Sequence, residues 1–157
     1  MTAKKPKKKG TIAAARRARF DYEILETLEA GIALTGAEVK AVREGDVQLQ
    51  GSYVTVDPTR ATLRGAHIGR YKPAGNIAYD STRERQLLLH TRELKRWFGK
   101  RQEAGLTVVP LRVYMKGRLV KVEIALARGK KNYEKRAAIK KKELDRELRT
   151  RMYTRDE

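Results

Sequence analysis

A chain of 157 residues, 36% of them charged, with a formal net charge of +18 and no cysteine, has room for one domain around one modest core. The missing cysteines exclude disulfides, a thiolate nucleophile and cysteine-ligated metal clusters, and fit a reducing compartment. No apolar run approaches the roughly 20 residues that span a bilayer, and the lysine-rich start lacks a secretory apolar segment, so a cytoplasmic protein that enters no membrane is expected.

The charge is unevenly spread. Met1 to Arg19 holds eight Lys or Arg and no acid, Arg128 to Glu157 holds twelve against six, and Phe20 to Ala127 holds seventeen against thirteen. A near-neutral body with two cationic ends repels itself and attracts a polyanion, which points to nucleic acid. An anionic membrane would instead demand a broad apolar helix face, which the C-terminal segment lacks.

In chain order, residues 1–11 are lysine-rich with almost nothing to bury and read as an arm disordered when free. From Tyr22, the positions of Ile24, Leu25 and Leu28 predict an extended stretch running through Gly31 to Leu34, bent or bulged at Gly31. Gly36 to Arg43, GAEVKAVR, places Ala37, Val39, Ala41 and Val42 at helical intervals with Gly45 as a stop. Ser52 to Val56 and Ala61 to Ile68 alternate as two strands around Asp57, Pro58, Thr59 and Arg60, a favourable turn. Arg70 to Thr82, with Pro73, Gly75, Asn76, Asp80 and Ser81, reads as a loop before a short buried strand at Leu87, Leu88 and Leu89.

Thr91 is placed as the cap of a helix from Arg92 to Glu103, with Leu94, Trp97 and Phe98 on one face and Lys95, Arg96, Lys100 and Arg101 on the other. Gly105 terminates it. Thr107 to Tyr114 and Leu119 to Leu126 flank Lys116 and Gly117, the clearest hairpin signal in the chain, with Pro110 marking a bulge or an edge. The fold expected over residues 12–127 is mainly β with helices: a small OB-like barrel with two or three flanking helices and a basic C-terminal tail. A flat sheet covered by helices is the alternative.

In the tail, residues 128–157, Ala137, Leu144, Leu148 and Met152 recur at helical spacing. Asp145 with Arg149 and Glu147 with Arg151 form acid-to-base pairs of about 0.3 kcal/mol each. The stripe is one residue wide, too little area to offset roughly 1–2 kcal/mol of backbone entropy per ordered residue. The tail is therefore expected to be disordered when free and helical against a partner. A solvated helix docked on the body is the alternative.

No nucleophile elbow, phosphate-binding glycine loop or histidine metal spacing is present. His67 and His90 are the one conceivable acid and base for RNA cleavage, but two histidines in a barrel are more often structural. No enzyme, catalytic residue, cofactor or metal is expected. Arg16, Arg17 and Arg19 crowd ahead of the first long strand, and Arg128 to Arg136 surrounds Tyr133 with five cations. Backbone phosphates explain the cations; the Tyr133 ring either stacks on a base or packs back on the barrel.

Five segments carry a resemblance: ARRARFDYEILETLEAGIALTGAEVKAVREG from Ala15, SYV from Ser52, LLLHTREL from Leu87, GLTVVPLRVY from Gly105 and ARGKKNYEKR from Ala127. On these the chain resembles the SsrA-binding protein family from about Ile12 to Arg149. The resemblance implies a monomeric, non-catalytic adaptor of trans-translation. Such a protein binds the tRNA-like part of transfer-messenger RNA near its elbow, aids its alanylation by alanyl-tRNA synthetase, and helps its delivery with elongation factor Tu to stalled ribosomes. By position it implies RNA contacts at Glu29 and Leu88 and, in the GAEVKAVR helix, at Glu38, Lys40 and Arg43. Gly129, Lys130, Lys131, Tyr133, Lys135 and Arg136 match the start of a tail that enters the vacant decoding site and messenger channel. Two positions depart from the family pattern: Ala15 replaces an RNA-contacting Asn, and Phe20 stands where His is common. An RNA-binding or ribosome-associated OB protein of low selectivity is the other reading.

Overall fold

The computed structural model describes residues 10–74, 78–103 and 105–155. The basic arm expected over residues 1–11 lies outside them up to position 9, as do Gly75 and Asn76 of the expected loop. The chain runs β1 (Thr11–Ala14), α1 (Ala18–Asp21), β2 (Tyr22–Ile32), α2 (Gly36–Arg43), β3 (Val47–Gln48), β4 (Tyr53–Val56), β5 (Ala61–Arg64), β6 (His67–Ile68), a 3-10 turn (Lys72–Ala74), β7 (Arg85–Leu88), α3 (Thr91–Arg101), β8 (Leu106–Lys116), β9 (Leu119–Gly129) and α4 (Asn132–Arg155).

The sheet closes on itself. Its order is β1-β8-β4-β5-β7-β2-β9, and β9 pairs again with β8, so six strands form a ring and no flat sheet is left. β8 manages three partners by length: β9 takes one edge, while β4 at Val108 and β1 at residues 112–114 share the other. The ring buries Ala30, Val54, Leu63, Leu87, Val108, Val122 and Ile124 inside, and Trp97 and Leu94 of α3 join that core.

The β8–β9 hairpin is buried on both faces. A second cluster, Ala18, Val109, Leu111, Ala125 and Ala127, packs outside it with Ala15, Tyr22 and Ile24. That double burial is why Val108 to Leu111 reads as a continuous apolar run. Gly117 takes φ 62° with no other residue of positive φ beside it, the tight turn the Lys-Gly pair forecast. The β8–β9 register slips between Pro110 and Arg112, a bulge at the position Pro110 marked.

Several details differ from the sequence reading. The bulge in β2 falls between Ile24 and Glu26, leaving Leu25 outward and 44% exposed, while Gly31 stays in register. The expected strand over 61–68 is two, because Gly65 turns the chain at φ 77° and β6 leaves to pair with β3. His90, not Thr91, is the N-cap of α3, and its N–H donates to the Glu93 carboxylate at 3.1 Å. The leucine run is not uniformly buried: Leu87 is 2% exposed and Leu88 is 55% exposed.

Candidate nucleic-acid interface

Strand parity decides which side chains can meet RNA. Leu87, Ala30, Val122 and Val113 point into the ring, so their neighbours Leu88, Gly31, Lys121 and Tyr114 are on the outer side, where Leu88 is 55% exposed but Tyr114 is covered, 7% exposed. The register places these four in one row across four strands: Leu88 opposite Gly31, Gly31 opposite Lys121, Lys121 opposite Tyr114. Glu29, Glu123 and Arg112 form the adjacent row. Glu29 and Leu88, 59 positions apart in the sequence, thus share one outward face.

This face is ordered by its own charges. Glu29 accepts from the Tyr114 hydroxyl and from Lys116 Nζ at 3.2 Å, and those two bonds hold its carboxyl below the usual range. Burial pushes the Tyr114 hydroxyl up, and its bond to Glu29 pushes the same way. Arg112 pairs with Glu123 at 2.8 Å, reaches the Thr11 hydroxyl at 3.2 Å, and lies 3.9 Å from the centre of the Tyr114 ring. Gly31 seats Leu88: a Cβ there would stand 3.2 Å from the Leu88 Cβ. Lys121 and Tyr114 were not singled out from sequence; outward parity beside Val113 and Val122 was the available signal.

In α2 the three candidate residues part company. Lys40 and Arg43 are exposed, Lys40 lying 5.3 Å from the Tyr71 ring centre. Glu38 is 1% exposed and offers RNA no surface. It closes a capping box, accepting from Thr35 N–H at 3.0 Å while its own N–H donates to the Thr35 hydroxyl at 3.2 Å. Its carboxylate also pairs with Arg83 and with Arg85 Nε at 2.6 Å. Arg85 is itself fully buried, and its remaining donors reach the carbonyls of Ala66, Arg83 and Ser81 and the Tyr79 hydroxyl. Burial raises the Glu38 carboxyl, but bonds from Arg83, the Thr35 backbone and Arg85 outweigh it and hold the group at about 2 against an ordinary 4.5. The implied RNA contact at Glu38 is replaced by a buried tie that fixes how α2 presents Lys40 and Arg43.

Arg16, Arg17 and Arg19 are exposed around α1. Arg16 and Arg17 line a cleft of about 910 Å³ with Gln48, Gln50 and the half-exposed Tyr53. Ala15 packs on the apolar clusters, as a small side chain can, and Phe20 receives Arg17 at 5.5 Å and Lys142 of α4 at 5.9 Å from its ring centre. The tail starts from this same segment: Lys130 N–H donates to the Asp21 carbonyl at 2.9 Å, Lys130 Nζ to the Arg19 carbonyl at 3.0 Å, and Lys135 pairs with Asp21 at 3.5 Å. Gly129 ends β9, Lys131 N–H donates to the Glu134 carboxylate, and Arg136 is exposed. The Tyr133 ring lies outside the described positions. Farther along α4, Ile139, Leu144, Leu148 and Met152 are all exposed.

The two histidines sit on different elements, His67 in β6 against β3 and His90 capping α3. Among the described residues no group of His, Asp and Glu is arranged to hold a metal. No helix among them is long and apolar enough to cross a membrane.

Comparison with known proteins agrees along nearly the whole chain. A model of the SmpB protein family matches residues 12–154. A relative from a Sulfurihydrogenibium species is 51% identical over 137 residues, covering 87% of this chain and 90% of its own. One from Rubrobacter xylanophilus is 52% identical over 137 residues, covering 87% and 91%. One from Chloroflexus aurantiacus is 48% identical over 149 residues, covering 94% and 93%. All three are named SsrA-binding protein. A chain of the solved structure described as "tmRNA-SmpB: a journey to the center of the bacterial ribosome" is 47% identical and superposes with a TM-score of 0.64 over 76% of this chain and 85% of its own. Matched by the family model over residues 12–154 and by relatives at about half identity across most of its length, the chain belongs to the SmpB protein family of SsrA-binding proteins.

Proposed function

We propose that this protein is the RNA-binding adaptor of trans-translation: it binds the tRNA-like domain of transfer-messenger RNA and delivers it to stalled ribosomes. The match to SmpB over residues 12–154, with relatives named SsrA-binding protein at about half identity, carries this reading. A solved neighbour described with tmRNA and the bacterial ribosome supports both partners.

In this reading the barrel grips the RNA and the tail reads the ribosome. Leu88 and Glu29 present one apolar and one acidic group on a single face, flanked by Lys121 and Arg112, and Arg16, Arg17, Arg19, Lys40 and Arg43 add phosphate contacts around it. A face with this mixture suits a folded RNA shape more than bare phosphates, whose recognition needs cations alone. Gly129, Lys130 and Lys131 lead into α4, whose first turns carry Tyr133, Lys135 and Arg136, and this helix enters the vacant decoding site and messenger channel. Elongation factor Tu and alanyl-tRNA synthetase act through the RNA. Binding and positioning are the whole of the protein's role, with His67 and His90 structural.

The test is to recover the protein from its own cells and sequence the RNA that accompanies it. A strong enrichment of transfer-messenger RNA that persists in high salt is expected. RNA recovered in proportion to its abundance, and shed with salt, would leave only a low-selectivity binder.

A further inference from the structure

The folded body is near neutral only on average. Residues 92–101 carry Arg92, Lys95, Arg96, Lys100 and Arg101 against Glu93, a net of +4, and residues 20–127 as a whole hold seventeen basic against thirteen acidic residues, also +4. The entire cationic excess of the body therefore rests on α3. Arg92, Lys95, Arg96 and Gly99 follow the i, i+3, i+4, i+7 spacing of one helical face, and all four are exposed. Leu94 and Trp97 on the opposite side are buried, so the fold uses only that inner side. Glu26 of β2 engages Arg96 and Lys100, one acid for two cations. Arg92 and Lys95 have no acidic partner among the described residues.

Gly99 is the second observation. Glycine inside a helix is unfavourable relative to alanine, and a Cβ at Gly99 would meet nothing within 4 Å. No packing within the described protein requires it. The gap it leaves on that face would admit close approach of a partner's backbone.

We propose that the outer face of α3, centred on Arg92, Lys95 and Gly99, is a second docking surface, separate from the tail, for the sugar-phosphate backbone of transfer-messenger RNA. The proposal rests on the function given above. The chemistry fits a polyphosphate: several cations at helical spacing, no apolar residue among them, and a gap where a backbone can lie close. Continuity selects the RNA, because the helix begins three residues after Leu88, the outward residue of the face already assigned to it.

The experiment measures affinity of the full-length protein for full-length transfer-messenger RNA across a salt titration. Four proteins are compared: the parent, Arg92→Gln with Lys95→Gln, the charge-keeping pair Arg92→Lys with Lys95→Arg, and Gly99→Ala. Each phosphate contact contributes about 0.9 to the slope of log affinity against log salt on a duplex, so the Gln pair flattens the slope by about 1.5 to 2 and the charge-keeping pair leaves it as it was. Gly99→Ala raises Tm by about 2 °C, since a better helix former replaces a worse one, yet binds the RNA severalfold more weakly. An unchanged slope in the Gln pair, or parental affinity in Gly99→Ala, overturns the proposal. So does a Gln pair that loses only the association of the preformed complex with ribosomes, which would put α3 on ribosomal RNA. A parent that binds this RNA no better than others refutes the proposed function instead, which keeps the two failures apart.

Discussion

Glu38 is buried in an ion pair that holds its carboxyl at about 2 against an ordinary 4.5. A folded-state value below the unfolded one stabilises above the unfolded value, and that contribution is lost as pH falls through the folded value. The span is worth about 3 kcal/mol, present at neutral pH, eroding below about 4.5 and gone near 2. Glu38→Gln strips the charge opposite the buried Arg85 and is expected to cost about 3 kcal/mol at pH 7. In denaturant titrations the gap between parent and variant should close as pH is lowered toward 2. A gap of constant size would mean that the charge is not what Glu38 contributes. Leu88 behaves in the opposite way, since it is outward and more than half exposed. Leu88→Ser should change stability by less than about 1 kcal/mol while weakening binding to transfer-messenger RNA at least tenfold, whereas Leu87→Ala should cost about 2–5 kcal/mol by leaving a cavity. Gly31→Ala should copy Leu88→Ser in RNA binding, because its Cβ at 3.2 Å displaces the Leu88 side chain; normal binding by Gly31→Ala would show that the seat of Leu88 is irrelevant.

Helix α4 extends 24 residues from Asn132 to Arg155, and it is tied to the body through Lys130 just before it and through Lys135 and Lys142 in its first half, which meet Arg19, Asp21 and Phe20. A surface ion pair, a surface hydrogen bond and one cation-over-ring contact are each worth about 1 kcal/mol, too little to hold six turns. Deleting residues 132–157 should therefore lower Tm by no more than about 3 °C, and amides beyond Lys142 should exchange near the unfolded rate in the free protein; slow exchange there would show a helix that stands without a partner. Elements whose signals are local were legible in the sequence. The span of α2 follows from its apolar spacing and Gly45, the β8–β9 hairpin from Lys116 and Gly117, its bulge from Pro110. Elements whose cause is distant were not. Thr11 to Ala14 is a strand only because β8 leaves an edge open beyond β4, and Glu38 looked like a surface acid because Arg85 lies 47 positions away. The leucine run hid the parity that turns Leu88 outward. Part of the candidate face, Lys121 and Tyr114, became visible only once the register was known.

The whole molecule separates its cations by place, and the places predict separable activities. Met1 to Arg19 and Arg128 to Glu157 carry most of the +18, but Arg16, Arg17 and Arg19 sit around α1 beside the barrel while Arg146, Arg149 and Arg151 are exposed along α4. If the barrel grips the RNA, removing Asn132 to Glu157 subtracts phosphate contacts without touching Leu88, Glu29 or the α3 face. Affinity for the tRNA-like domain should fall only modestly at low salt and converge with the parent at high salt, where screened cations contribute little. Peptide tagging on a ribosome stalled at the end of a broken message should be abolished in the same protein, since tagging requires the tail to occupy the empty channel. Leu144→Asp with Leu148→Asp, which alters two side chains already 56% and 50% exposed, should reproduce the tagging defect with the RNA affinity of the parent. The opposite pattern, RNA binding lost and tagging spared, would place RNA recognition in the tail and reverse the division of labour between the two ends.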